Sequence, residues 1–303
     1  MEQINNHPLY RIHTIDSAMS SLWDFYTKRF ISLFLISFVM GLALQYLGSL
    51  IKIDIADYQT FNIDEMMLEL REYLWPMLIV SLSGLLFTTI LHYYIIYNPL
   101  DPNDNIFRCL LKSLRYYIPY LIILVFLAIA GSFALFLGLL VVVIGMLFAA
   151  IYIFSLYLFI LPVMMVEGPS IANTITRTVT LAHRNFWANI GWTAVFVIII
   201  LVITTVLSGF ILLPFTGSFF KAFSDPGEAA SLMDITQKPL YIILSALISA
   251  VTMPLMPIFA CILYFSGRAR EEKKYYQEAP EDDGGDKVSV EDLYSKPLPE
   301  DEK

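Results

Sequence analysis

The chain reads as an all-α, polytopic integral membrane protein with six transmembrane helices. Between Tyr116 and Val166 run 51 residues without one Asp, Glu, Lys or Arg. A helix of that length would measure roughly 76 Å, enough for two crossings of a ~30 Å hydrocarbon core and the turn between them. Hydrophobic residues make up 57% of the 303 positions and charged residues 15%, against about 25% charged in an ordinary soluble domain. The basic residues also fall almost entirely on one side of the apolar stretches, as the positive-inside bias requires.

Six stretches are long and apolar enough to cross: about Phe30–Leu50, Trp75–Tyr97, Ile118–Phe136, Leu139–Met165, Trp187–Leu213 and Leu240–Phe265. The first lies behind Lys28 and Arg29, but its apolar core is too long for a cleaved signal and no small-residue cleavage site follows. Spans three and four meet in a stretch with nothing more polar than Gly131, Ser132 and Gly138, so a tight hairpin joins them. Pro254 and Pro257 are expected to bend the sixth span; the alternative is a broken helix lining a cavity, as in transporters.

One set of loops carries 15 basic residues, among them Arg11, Lys28, Arg29, Arg108, Arg115, Arg177, Arg184 and Arg268; the other set has four, Lys52, Arg71, Lys221 and Lys238. Both termini are therefore expected in the cytoplasm. The net charge of -8 belongs to the tail: residues 271–303 hold twelve acids and five lysines, while the other 270 residues carry 15 acids and 14 bases. The domain reading is 1–29 as a cytoplasmic segment with an amphipathic helix, 30–270 as the transmembrane domain, and 271–303 as an acidic disordered tail. That tail either recruits a protein partner, for instance through Val288–Tyr294, or merely solubilises.

The spans are read as three hairpins, each introduced by an amphipathic helix, a basic residue and an aromatic. The junctions are Lys28-Arg29-Phe30, Leu114-Arg115-Tyr116-Tyr117 and His183-Arg184-Asn185-Phe186-Trp187. Upstream, the apolar stripes are Ile15, Ala18, Met19, Leu22, Phe25 and Tyr26, then Ile106, Phe107, Leu110, Leu114 and Tyr117, then Ile171, Ile175, Val179, Ala182 and Phe186. Thr14, Asp104 and Ser170 are the expected helix caps. Such helices suit the headgroup plane, with basic faces toward anionic lipid headgroups. The alternative is that they are the polar ends of tilted spans.

The stretch Leu161-Pro162-Val163-Met164-Met165-Val166-Glu167-Gly168-Pro169-Ser170, the Arg177 helix and Phe186-Trp187 resemble a bacterial membrane domain. That domain is found fused to some glycerophosphodiester phosphodiesterases and as stand-alone multispanning proteins. The end of the last helix, Tyr264-Phe265-Ser266-Gly267-Arg268-Ala269-Arg270-Glu271-Glu272, is similar to its closing cytoplasmic motif. The resemblance spans roughly residues 10–275, and it implies six helices in a bacterial inner membrane, no catalytic domain and no particular activity.

No catalytic, metal or cofactor pattern is found. The histidines, His7, His13, His92 and His183, make no H-E-x-x-H, and Cys109 and Cys261 stand 152 positions apart. No Walker loop, G-x-G-x-x-G or G-x-S-x-G occurs, and nothing suggests nucleic-acid binding. No ionisable Asp, Glu, Lys or Arg lies deep in a span, where ion-coupled transporters keep one. The candidate residues are structural or interfacial. Glu167, where the fourth span ends, is expected to pair with Arg177 or Arg184, to meet a base from another hairpin, or to stay solvated. Arg29 and Arg115 mark the other junctions, and His92 heads the aromatic cluster Tyr93, Tyr94 and Tyr97, as an interfacial anchor or a proton relay. The functional expectation is a non-enzymatic scaffold, assembly factor or membrane-organising subunit; the alternative is a permease, perhaps part of a larger complex. Hydration of Gln45, Ser83 or Thr204 inside the bundle separates the two.

Overall fold

In the computed structural model, residues 2–51, 63–101, 106–217 and 235–278 are described. Every regular element among them is helical. A short 3-10 helix, Glu2–Asn6, precedes α1 (Ile15–Lys28), α2 (Phe30–Ser49), α3 (Ile63–Tyr97), α4 (Ile106–Leu140) and α5 (Val142–Glu167). These are followed by α6 (Ile171–Arg184), α7 (Phe186–Leu212), α8 (Pro239–Thr252) and α9 (Leu255–Glu278). Six stretches have the length and apolarity to cross a bilayer: Phe30–Ser49, Tyr73–Tyr97, Ile106–Leu140, Val143–Glu167, Phe186–Phe215 and Pro239–Lys274. The chain is a helical, multi-pass membrane protein.

Helix starts and stops follow local chemistry. Thr14 and Ser17 form a reciprocal capping box at α1, the Thr14 N–H donating to Ser17 Oγ at 2.8 Å. Ser170 occupies the N-cap of α6, but its side chain makes no capping bond; Asp104 lies outside the described residues. The backbone leaves helical geometry at Arg29 (φ -119°, ψ 18°) and at Asn185 (φ -127°, ψ 53°), so α1 and α6 are separate from the spans they precede.

The middle junction differs. Residues Ile106 to Leu140 form one uninterrupted helix, so the second amphipathic segment is the first three turns of α4 rather than a helix of its own. The physical reason is register. Cys109, Ser113, Tyr116, Tyr120 and Ile123 are all buried, and their 4-3-4-3 spacing continues one helical face straight through Arg115. The stripe read from the sequence lies elsewhere: Ile106, Phe107 and Leu114 are exposed.

Close approach demands glycine at two places. α4 and α5 join at Val141, whose N–H donates to Gly138 O at 3.1 Å. A Cβ on Gly138 would stand 2.7 Å from Gly145 O. α2 packs most extensively on α8, where a Cβ on Gly41 would meet Ser249 Cβ at 2.9 Å. Small residues permit such contact between membrane helices, which lack a hydrophobic drive to associate.

The sixth span is interrupted at Met253 and Pro254, although Met253 keeps helical angles (φ -53°, ψ -41°) and Pro239–Lys274 remains one span. α8 ends when Met253 N–H reaches Ser249 O at 2.8 Å, and α9 starts afresh at Leu255. Proline has no N–H to continue the ladder. Pro76, Pro119 and Pro162, by contrast, sit inside unbroken helices. The acidic segment 64–72 opens α3.

α9 is the centre of the molecule. Residues 258–262 and Tyr264 and Phe265 are 0% exposed, so protein surrounds this stretch of the helix on every side. α1, α3, α5, α6 and α8 all touch it. It shares one buried cluster with Tyr93–Ile96 of α3 and with Leu158–Leu161 and Val163–Met165 of α5, and Phe259 stacks on Phe196 of α7 at 4.1 Å. The core thus occupies one end of the bundle. Toward the other end, Phe133, Phe136, Leu140 and Ile144 are open, an apolar surface that water would not tolerate and hydrocarbon would. The expected tail boundary at residue 271 falls inside α9, whose helix continues to Glu278; residues 279–303 lie outside the described residues.

Candidate functional site

The principal polar cluster forms where α5, α6 and α9 meet. Gly168, at φ 111°, ends α5 in a conformation that favours glycine, and its N–H donates to Met164 O. The chain then turns through Pro169 into α6. This leaves the Glu167 carboxylate at a helix C-terminus, where the backbone dipole disfavours negative charge. Arg177, nearly two turns into α6, compensates: its Nε lies 3.0 Å from both Glu167 oxygens. Tyr264 of α9 donates its hydroxyl to Glu167 Oε1 at 3.0 Å.

The remaining arm of Arg177 reaches α9. Nη1 donates to Glu271 Oε1 at 2.8 Å, and Nη2 donates to Glu271 Oε2. Arg184 Nη1 reaches the same carboxylate at 2.5 Å. One guanidinium therefore clamps two carboxylates from different helices, a fork geometry that an ammonium does not reproduce. The bond to Glu271, ahead of that to Glu167, raises the Arg177 pKa above its ordinary value. Arg268 adds a 3.3 Å bond to the Tyr264 hydroxyl and lies 3.6 Å from Glu272. Three arginines thus face three glutamates, Glu167, Glu271 and Glu272. The cluster is neutral in sum, and its chemistry is that of a fastener.

Of the residues singled out from sequence, Glu167, Arg177 and Arg184 come together here. Arg29, Arg115 and His92 have other partners. Arg29 lies over the Phe25 ring and donates to Asn98 Oδ1 at 2.7 Å, tying α1 to the end of α3. Arg115 lies over the Tyr116 ring and donates to that hydroxyl. Tyr97 and Tyr116 both donate to Met165 O, at 2.6 and 3.4 Å. His92 is buried, with Nδ1 2.8 Å from Thr88 O on its own helix.

Sequence reasoning missed Glu271, Tyr264 and two histidines. His7 is 3% exposed; its Nε2 donates to Ile95 O at 3.1 Å and its Nδ1 accepts the Leu9 N–H at 3.2 Å. Burial holds its pKa down at about 4. His13 is also buried, its backbone N–H donating to Ser266 Oγ at 3.1 Å while Arg270 donates to its carbonyl at 2.8 Å. These contacts strap the N-terminal segment across α3 and α9. Several span hydroxyls bond back to their own helices, as Thr88 does to Gly84 O and Thr204 to Ile200 O, whereas Ser37 Oγ, Thr193 Oγ1 and Ser245 Oγ are buried without a hydrogen-bond partner. Among the described residues, no group of three or more His, Cys, Asp or Glu is arranged to hold a metal ion.

No family model, curated protein or solved structure matches the chain.

Proposed function

We propose that this protein is a non-enzymatic integral protein of a bacterial inner membrane, acting as a scaffold, assembly factor or membrane-organising subunit. The observation that supports it best is the filled centre. At one end of the bundle, Ile258–Phe265 is buried and packed in a large cluster of aliphatic and aromatic side chains, where a solute path would need polar, hydrated walls. The Glu167–Arg177–Glu271–Arg184 fastener then serves to hold three helices in one arrangement.

On this reading the spans pair as three hairpins with basic ends in the cytosol. α1, the first turns of α4, and α6 lie at the cytoplasmic headgroup level against anionic lipid. On α6 the buried residues are Thr174, Thr178, Leu181 and Ala182, whereas Ile175 and Val179 remain open beside the apolar groove of α4 and α5; that asymmetry suits a helix lying on lipid. The acidic segment 279–303 would engage a protein partner. Relation to the membrane domain of some glycerophosphodiester phosphodiesterases remains part of the proposal, resting on the motifs quoted above.

The test replaces the two buried thiols, Cys109 and Cys261, by serine and introduces Gln45→Cys, Ser83→Cys and Thr204→Cys singly. A water-soluble maleimide applied to native vesicles should leave all three unlabelled. Labelling of two or more from one face would mean a hydrated path, and the permease reading would replace this one. Gentle detergent extraction should also recover one stoichiometric partner.

A further inference from the structure

A recess of about 610 Å³ opens beside the α1–α2 junction. Residues of the N-terminal segment form one wall, and the last turns of α1 form the other. Its polar lining is Arg11, Ser21, Asp24, Lys28 and Arg29, with the Phe25 side chain among them. Three cations face one carboxylate, so the recess carries a net charge of about +2. Its depth in the membrane follows from the chain: Arg29 is the last residue before α2, and Phe30 opens the first apolar span.

The recess is built rather than incidental. Arg29 is held by Asn98 Oδ1 at 2.7 Å and by the Phe25 ring, which leaves Nη2 and Nε without a described partner. Arg11 is anchored by its bond to Ser21 Oγ, and Lys28 is exposed. The wall carrying Arg11 is pinned through His7 to Ile95 and through His13 to Ser266. Phe30 opens α2 one residue past Arg29, and Ile31, Leu35 and Val39 expose an apolar strip along that helix, while Trp23 is exposed on α1.

We propose that this recess binds the phosphate-bearing headgroup of an anionic glycerophospholipid. The cations take the phosphodiester, and the acyl chains descend along Ile31, Leu35 and Val39. Cationic donors at headgroup depth favour phosphate, and the apolar span that starts at Phe30 sets the recess at the depth where lipid headgroups meet acyl chains. The proposal deepens the scaffold reading and rests on it only for the depth at which α2 enters the bilayer.

The experiment measures affinity of the detergent-solubilised protein for phosphatidylglycerol in mixed micelles. Phosphatidylcholine and inorganic phosphate serve as the other ligands. Each surface cation contributes roughly a five-fold factor, so Arg11→Gln/Lys28→Gln should weaken phosphatidylglycerol binding ~30-fold. Lys28→Gln alone, at an exposed position with little packing to lose, should weaken it ~5-fold. Lys273→Gln removes one charge outside the recess and should leave the affinity unchanged. Phosphatidylcholine should bind at least ten-fold more weakly. Equal losses in Lys273→Gln, or equal binding of phosphatidylcholine, would overturn the proposal. Inorganic phosphate competing at the same affinity would assign the recess to a free anion instead, and that also overturns it. Micelle binding does not depend on orientation or partners, so its failure leaves the maleimide test of the scaffold reading intact.

Discussion

Replacing Arg177 by lysine keeps the charge and removes the fork. In the folded protein, Nε serves Glu167 while Nη1 and Nη2 serve Glu271. A lysine ammonium reaches one carboxylate, so the other glutamate loses its guanidinium bonds and keeps only its second partner, Tyr264 for Glu167 or Arg184 for Glu271. The side chains are only partly wet, Arg177 being 28% and Glu271 17% exposed. This lies between an exposed pair, worth about 0–1 kcal/mol, and hydrogen bonds to buried charge, worth about 1.5–3 kcal/mol each. We expect Arg177→Lys to cost about 2 kcal/mol, read as a fall in Tm of roughly 4–8 °C in detergent. Glu271→Gln should cost a similar amount by leaving Arg177 and Arg184 facing each other. The two losses should not add, because both break one contact, and the coupling in a double-mutant cycle should exceed about 1 kcal/mol. A Tm for Arg177→Lys within about 1 °C of the native protein, or fully additive losses, would show that the cluster is no fastener.

Three other outcomes are expected. His7 titrates near 4 when folded and near its ordinary value of 6.5 when unfolded, so the unfolded chain takes up protons first as pH falls. Its stability contribution is complete above about pH 6.5 and drains between 6.5 and 4; from pH 7 to pH 5 the loss is about 2 kcal/mol. Thermal melts across that range check it, with His7→Gln flattening the slope. Gly41→Val should cost about 1–3 kcal/mol by overpacking α2 against α8, whereas Gly48→Ala, with nothing within 4 Å of the added Cβ, should be near neutral in the same melt. For orientation, Thr60→Cys and Ala230→Cys should be labelled from outside intact cells and Pro280→Cys should not. The reverse pattern would invert the topology.

The reading of the arginine cluster from sequence was partial for a concrete reason. Glu167, Arg177 and Arg184 lie close together along the chain, near the helix start at Ser170, and a local pairing suggests itself. Glu271 stands 94 positions from Arg177 at the head of a run of acids, where composition reads as a solvated tail. Only the continuation of α9 to Glu278 carries that carboxylate onto α6. The strap formed by His7 and His13 was hidden in the same way, since its partners are the backbone of Ile95 and the hydroxyl of Ser266, neither of which leaves a mark in a residue pattern.

By itself the sequence determined the solvent and the number of crossings, because charge is so costly in hydrocarbon that its absence over 18 or more residues is hard to read otherwise. Which helix sits at the centre was decided by tertiary structure alone. In water, the buried face of a helix is apolar and the open face polar. In lipid both are apolar, so hydropathy cannot separate the face of α4 that meets protein from the face that meets acyl chains. Shape decides instead: Cys109, Ser113 and Tyr116 turn inward while Phe107 and Leu111 stay open. Gly41 brings α2 more extensively onto α8 than onto α3, its neighbour in the chain. α9 becomes the core because packing, not polarity, distinguishes the inside of a bundle from the membrane around it.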